Sequence, residues 1–164
     1  MKKAVVLAIL ISIVDTSQGL AQSRSPATPP VDGGGWRKIG SNSTLDYWFS
    51  PRRLIALRGG KWRAWIKRSL RPGDASLKEL LADLRGSGYS TEGYEDFRYS
   101  LLLIEVDCTQ RKTRTIHATD YAADRQELDS RIPPRPTWKD VEPGSFIEMQ
   151  LDAVCAAAKR QKRR

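Results

Sequence analysis

Phe97-Arg98-Tyr99-Ser100-Leu101-Leu102-Leu103-Ile104-Glu105-Val106-Asp107-Cys108 is the strongest strand signal in the chain. Aliphatic residues in succession from Leu101 to Ile104 predict a strand flanked on both sides, central in its sheet. Side chains alternate along a strand, so Cys108 shares a face with Leu102, Ile104 and Val106, while Glu105 and Asp107 point the other way. The thiol is therefore expected on the buried side.

Shorter apolar runs precede this strand: Trp36 to Ile39, Leu45 to Phe49, Leu54 to Leu57 and Trp62 to Ile66. Each is bounded by turn residues and reads as a strand. Gly59-Gly60 fits a two-residue hairpin turn, because glycine accepts the positive φ such turns demand. That register pairs Leu57 with Trp62, Ile55 with Ala64 and Arg53 with Ile66. The opposite face then collects Arg52, Arg58, Lys61, Arg63 and Lys67 around Trp65. No acid falls between Arg52 and Arg71, so this face is the candidate surface for an anionic partner. A solvated edge hairpin whose cations discourage strand pairing is the plainer account.

Ser76-Leu77-Lys78-Glu79 has the spacing of a reciprocal helix cap, and Leu77, Leu80, Leu81 and Leu84 recur at helical spacing. A helix over residues 77–85 with Gly86 as its C′ residue follows. Beyond Cys108, Arg114 to Thr119 reads as a return strand, then a link through Pro133, Pro134 and Pro136. Ser145-Phe146-Ile147-Glu148 is a second cap. It opens a helix to about Ala158 whose apolar face carries Ile147, Leu151, Val154, Cys155 and Ala158. The fold class is α+β, an antiparallel sheet with a C-terminal helix on one face.

The chain has 164 residues, 40% hydrophobic and 29% charged, with 28 Lys plus Arg against 19 Asp plus Glu and a formal charge of +9. That is enough apolar surface for one basic domain and too little length for a multidomain enzyme. Residues 1–21 begin with Lys2 and Lys3, run apolar from Ala4 to Val14 and end at Gly19-Leu20-Ala21, the pattern of a secretory signal cleaved after Ala21. The apolar run is shorter than the ~20 residues a bilayer crossing needs. Loss of Lys2, Lys3 and Asp15 lowers the charge from +9 only to +8, so the basic character belongs to the domain. Residues 22–35 are Ser, Pro, Thr and Gly rich and read as a flexible leader, residues 36–158 as the domain, and residues 159–164 as a frayed basic tail. The product is expected in the periplasm or outside the cell. It is not expected to be lipid-anchored, because no Cys sits near the cleavage point.

Two Cys in an exported chain, each on the apolar face of its element, argue for a Cys108–Cys155 disulfide between the sheet and the last helix. One His and two Cys cannot close a structural zinc site without carboxylates, so neither a metal nor a cofactor is expected. An enzyme of hydrolase type would have to use His117, or Glu105 with Asp107. No GxSxG or paired nucleophile accompanies them, and an ion pair with Arg111, Lys112 or Arg114 is the simpler role for the two acids. Specific nucleic-acid recognition is not expected of an exported protein, although its charge would attract phosphate nonspecifically.

Glu105-Val106-Asp107-Cys108, Arg114, Tyr121, Trp138, Pro143-Gly144-Ser145 and Val154-Cys155 together resemble the surface-adhesin protein E family of bacterial exported proteins. Trp36, Tyr47-Trp48 and Trp65 fit as well, so the resemblance spans about residues 36 to 158. It implies an antiparallel sheet whose C-terminal helix is held on the concave side by the Cys108–Cys155 disulfide, and a non-enzymatic, adhesin-like activity. The family is named for lipid-anchored adhesins that bind host matrix components. This chain departs from them in lacking the lipidation Cys and in carrying the helix over 77–85 and the basic hairpin. The expected partner is an anionic polysaccharide, a lipid head group or an acidic protein.

Overall fold

A computed structural model describes residues 35–163. The signal at 1–21, and the leader apart from Gly35, lie outside the described residues. Strands β1 (Arg37–Ser41), β2 (Leu45–Phe49), β3 (Ile55–Ala56), β4 (Lys61–Leu70), β5 (Phe97–Asp107), β6 (Lys112–Ala122), β7 (Glu127–Arg131) and β8 (Lys139–Asp140) form one antiparallel sheet. Helix α1 (Asp74–Gly86) follows β4, and α2 (Phe146–Gln161) closes the chain. Along the sheet the order is β1-β2-β4-β5-β6-β7, with β3 paired to β4 and β8 to β6. The strand read as central, β5, lies between the two longest neighbours, β4 and β6.

Register assigns the faces. Trp62, Ala64 and Ile66 of β4 stand opposite Val106, Ile104 and Leu102 of β5, on the face that α2 covers with Leu151, Val154, Ala157 and Ala158. Cys108 and Cys155 close the disulfide there, Cα to Cα 5.7 Å across 47 residues. Farther along, Leu45, Tyr47, Leu70, Tyr94 and Phe97 form a second cluster against the leucines of α1. The opposite face has its own apolar cluster of Trp65, Leu101, Leu103 and Tyr121, with Trp36, Tyr99 and Ile116 packed on it.

Several local expectations change. Arg58-Gly59-Gly60 forms a three-residue 3-10 turn with φ of 69° and 74° at the glycines, closed by the Leu57 N–H donating to the Lys61 carbonyl. One extra turn residue slips the hairpin by one, so Ile55 pairs with Arg63 and Ala56 with Trp62. A slip of one exchanges the faces of β3, and Ile55 is exposed. A further 3-10 turn over Pro51–Arg53 takes Arg52 out of the strand.

Helix α1 starts at Asp74 rather than Leu77 and has no side-chain cap. Its expected cap partner, Glu79, instead accepts from Ser43 Oγ at 2.8 Å. The helix ends in a Schellman motif, with the Tyr89 N–H on the Leu84 carbonyl and the Gly88 N–H on that of Arg85, so Gly88 (φ 80°) rather than Gly86 is the C′ residue. The second cap forms as read: Ser145 Oγ accepts from the Glu148 N–H at 3.1 Å, and Glu148 reaches back to the Gly144 N–H at 2.7 Å. Ile147 is 48% exposed, and Ala157 takes its place in the core face. The last cations are not frayed from their start, because α2 includes Lys159, Arg160 and Gln161. Strands β7 and β8 lie either side of Pro133, Pro134 and Pro136, in the stretch that reads from sequence as a link.

Candidate functional site

Four of the six residues read as a cationic face, Lys61, Arg63, Trp65 and Lys67, do share one side of β4, the side away from α2. Their neighbours on β5 and β6 change what that side can do. Arg63, Glu105 and Arg114 stand in one row across three strands, and Lys61, Asp107 and Lys112 in the next. Arg63 donates through Nε and Nη2 to Glu105 Oε1 at 3.0 and 2.5 Å, and Arg114 through the same atoms to Oε2 at 2.8 and 2.6 Å. Lys61 reaches Asp107 at 3.3 Å, and Lys112 turns outward to Asp140 at 3.5 Å. Trp138 lies against both rows, with Lys61 and Arg114 over its ring.

Glu105 and Asp107 are each only 3% exposed. Burial alone would raise the Glu105 carboxyl, but the arginine hydrogen bonds outweigh it and hold the group below its usual 4.5. The Gln110 N–H does most to hold Asp107 below its usual 3.8; burial opposes it, and Lys61 and the Thr109 N–H assist. These carboxylates are fixed, fully hydrogen-bonded anions rather than a proton-transfer pair. Trp65 is 2% exposed within its apolar cluster, and Lys67 lies 4.9 Å over the Tyr99 ring.

His117, the residue a hydrolase would have to use, is buried. Its Nε2 lies 2.8 Å from Ser130 Oγ and 3.2 Å from Thr119 Oγ1, while Nδ1 has no partner among the described residues. A Ser–His contact of this length is within proton-transfer reach, but a base needs its other nitrogen oriented, and no carboxylate accepts from it.

The remaining two residues of the expected set, Arg52 and Arg58, are exposed. They belong to a different grouping. Arg52 lines a cavity of about 400 Å³ with Arg37, Pro51, Ala157, Arg160 and Gln161. Gly60, beside Arg58, lines a neighbouring cavity of about 230 Å³ with Trp62, the disulfide, Lys159 and Lys162. The 3-10 turn after β2, the β3–β4 turn and the C-terminal end of α2 thus converge. Among the described residues, neither cavity has an acid in its lining. Sequence reasoning missed Arg37 and read Lys159, Arg160 and Lys162 only as part of a frayed tail, because the β1–β2 pairing and the placement of α2 are what bring them beside Arg52.

The molecule is a helix-on-sheet α+β domain, stapled by one disulfide and carrying a cationic end. The sequence profile of the surface-adhesin protein E family matches residues 36–156, and the chain belongs to that family. Solved structures of Haemophilus influenzae protein E are among those to which the chain is similar. Crystal form II gives a TM-score of 0.51 at 11% identity, covering 80% of this chain and 96% of that one. The selenomethionine form gives 0.47 at 11% identity, covering 79% and 92%. Protein E from the non-typeable organism gives 0.42 at 9% identity, covering 82% and 95%. A search of curated proteins finds no match. Membership of a surface-adhesin family points to an exported, in general non-enzymatic protein. No helix among the described residues is long and apolar enough to cross a membrane.

Proposed function

We propose that this protein is a non-enzymatic, exported binding module that engages an anionic partner through the cationic end formed by Arg37, Arg52, Arg58, Lys159, Arg160 and Lys162. The supporting observation is the division of its charges. On the sheet face, Lys61 and Arg63 are neutralised by buried Asp107 and Glu105, whereas at this end cations from four separate segments gather beside cavities with no acid among their described lining residues. Unneutralised charge gathered on one surface raises the local concentration of an opposite partner and speeds its capture. Anionic polysaccharide, lipid head groups and acidic proteins all carry that charge, and all are met in the periplasm or at the cell surface. Of the residues read from sequence, Arg52 and Arg58 make contact, while Lys61, Arg63, Trp65 and Lys67 hold the sheet that positions them.

Elution from an anionic polysaccharide column in a salt gradient tests this. Arg52→Glu/Arg58→Glu/Arg160→Glu is expected to elute well before wild type, and well before Lys78→Glu/Arg98→Glu/Lys139→Glu, which makes the same charge change at exposed sites elsewhere. Equal shifts for the two triple variants would reduce the cationic end to generic charge.

A further inference from the structure

The cavity at the cationic end has a more specific construction than charge attraction requires. Arg37 stands opposite Phe49 in the β1–β2 pair, which directs its side chain to the face that α2 covers. Arg52 comes from the 3-10 turn Pro51–Arg53, and Arg160 and Gln161 come from the last turn of α2, one helical turn beyond Ala157. Among the described residues none of the three arginines has a carboxylate partner. The carbonyls at the C-terminal end of α2 account for a cation at Arg160, but not for Arg37 and Arg52, which arrive from elsewhere in the chain. Arg52 is also held in place: a Cβ at Gly35 (φ 58°) would come within 2.9 Å of its Cδ and 3.1 Å of its Nε, so its stem lies directly on that backbone.

We infer that this cavity is a binding site for a phosphate monoester, with the phosphoryl oxygens on Arg37, Arg52 and Arg160 and the organic group against Pro51 and Ala157. The inference rests on the anionic-partner proposal and narrows it to one chemistry. Guanidinium forks match the oxygens of a phosphate and hydrogen-bond them in pairs. A monoester carries close to two negative charges at neutral pH, which three arginines can neutralise where a single carboxylate would leave charge unmatched. A volume of about 400 Å³ is that of a small-molecule site and leaves room for a moiety beyond the phosphoryl group. A soluble glycerol or sugar phosphate and a monoester lipid head group share this chemistry.

Isothermal titration of the purified, disulfide-intact chain with glycerol 3-phosphate is the test. Saturable binding is expected, with affinity falling about tenfold or more in each of Arg37→Gln, Arg52→Gln and Arg160→Gln as a charge-assisted contact is lost. Lys78→Gln and Arg98→Gln should stay within about twofold of wild type, as exposed surface charges away from the cationic end. Arg52→Lys, which keeps the charge but not the fork, should bind more weakly than wild type, and so should Gly35→Ala, which displaces the Arg52 stem. All substituted residues but Gly35 are exposed cations, and an unchanged far-ultraviolet spectrum verifies folding. No saturable binding by wild type, or unchanged binding in the three glutamine variants, overturns the inference. If in that event column retention still depends on Arg52, Arg58 and Arg160, the broader proposal stands alone; if it does not, both fall. Given saturable binding, vesicles of phosphatidylcholine with phosphatidic acid assign the source. Vesicle binding displaced by glycerol 3-phosphate identifies a lipid head group, and its absence identifies a soluble monoester; either result upholds the site.

Discussion

Glu105 decides what the cationic side of β4 is for. One buried carboxylate spans two arginines on the strands either side of it, so Arg63 and Arg114 are committed within the fold before any partner arrives. Glu105→Gln keeps the shape and removes the charge, leaving two guanidiniums facing each other across β5. A loss of roughly 2–4 kcal/mol is expected, toward the low end because both arginines reach solvent, and urea denaturation measures it. The same anions set the acid limit. Glu105 and Asp107 sit below their usual 4.5 and 3.8, so their stabilisation is complete above those values and is lost as pH falls through the lower values of the folded state. Wild type should therefore lose stability steeply below about pH 4.5, and Glu105→Gln less steeply, by denaturant midpoints across an acid series. The alternation that put Glu105 and Asp107 on one face was legible in the sequence. Their partners on β4 were not, because Arg63 lies 42 residues away from Glu105 and only the β4–β5 register brings them together.

Helix α2 is fastened to the sheet at three places. The disulfide joins its middle to the end of β5. Arg111, in the β5–β6 turn, binds Glu148 and Asp152 at 2.6 and 3.0 Å, and Met149 lies over Gly40 of β1 so closely that an added Cβ would overlap its Sδ. Gly40→Ala should cost about 1–2 kcal/mol as Met149 is forced aside, read from the denaturant midpoint. Replacing both cysteines by alanine should cost about 4 kcal/mol by the chain-entropy estimate for the 47-residue separation, read the same way. Local chemistry fixed what could be read at this scale. Ser145 and Glu148 cap α2 because Ser145 stands at the residue before its first turn, whereas Ser76 and Glu79, with the same spacing, do not cap α1 because that helix begins at Asp74 and leaves Ser76 inside it, while Glu79 accepts from Ser43. Adjacent glycines at 59 and 60 mark a turn but accommodate two or three residues equally well, which is why the hairpin was legible and its register was not. Strand β7, Glu127-Leu128-Asp129-Ser130-Arg131, carries no apolar alternation. It is a polar strand at the sheet's outer edge, where charge discourages further pairing.

Across the whole molecule, a net charge of +9 says little about where a partner binds, because charges of both signs are distributed over both faces. The architecture was legible: a central β5, a sheet with a C-terminal helix, and two cysteines that meet. The cationic end was legible only through Arg52 and Arg58, since its other members come from the start of β1 and the last turns of α2. The most direct test of this assignment is a residue-resolved titration, with amide chemical shifts of the labelled protein followed as a short anionic oligosaccharide is added. Shifts are expected to cluster at Arg37, at residues 51–60 and at residues 157–163, with residues 61–67 and 99–105 little changed. Shifts centred instead on the β4–β5 face around Lys61, Arg63 and Lys67, or spread evenly over the surface, would contradict it.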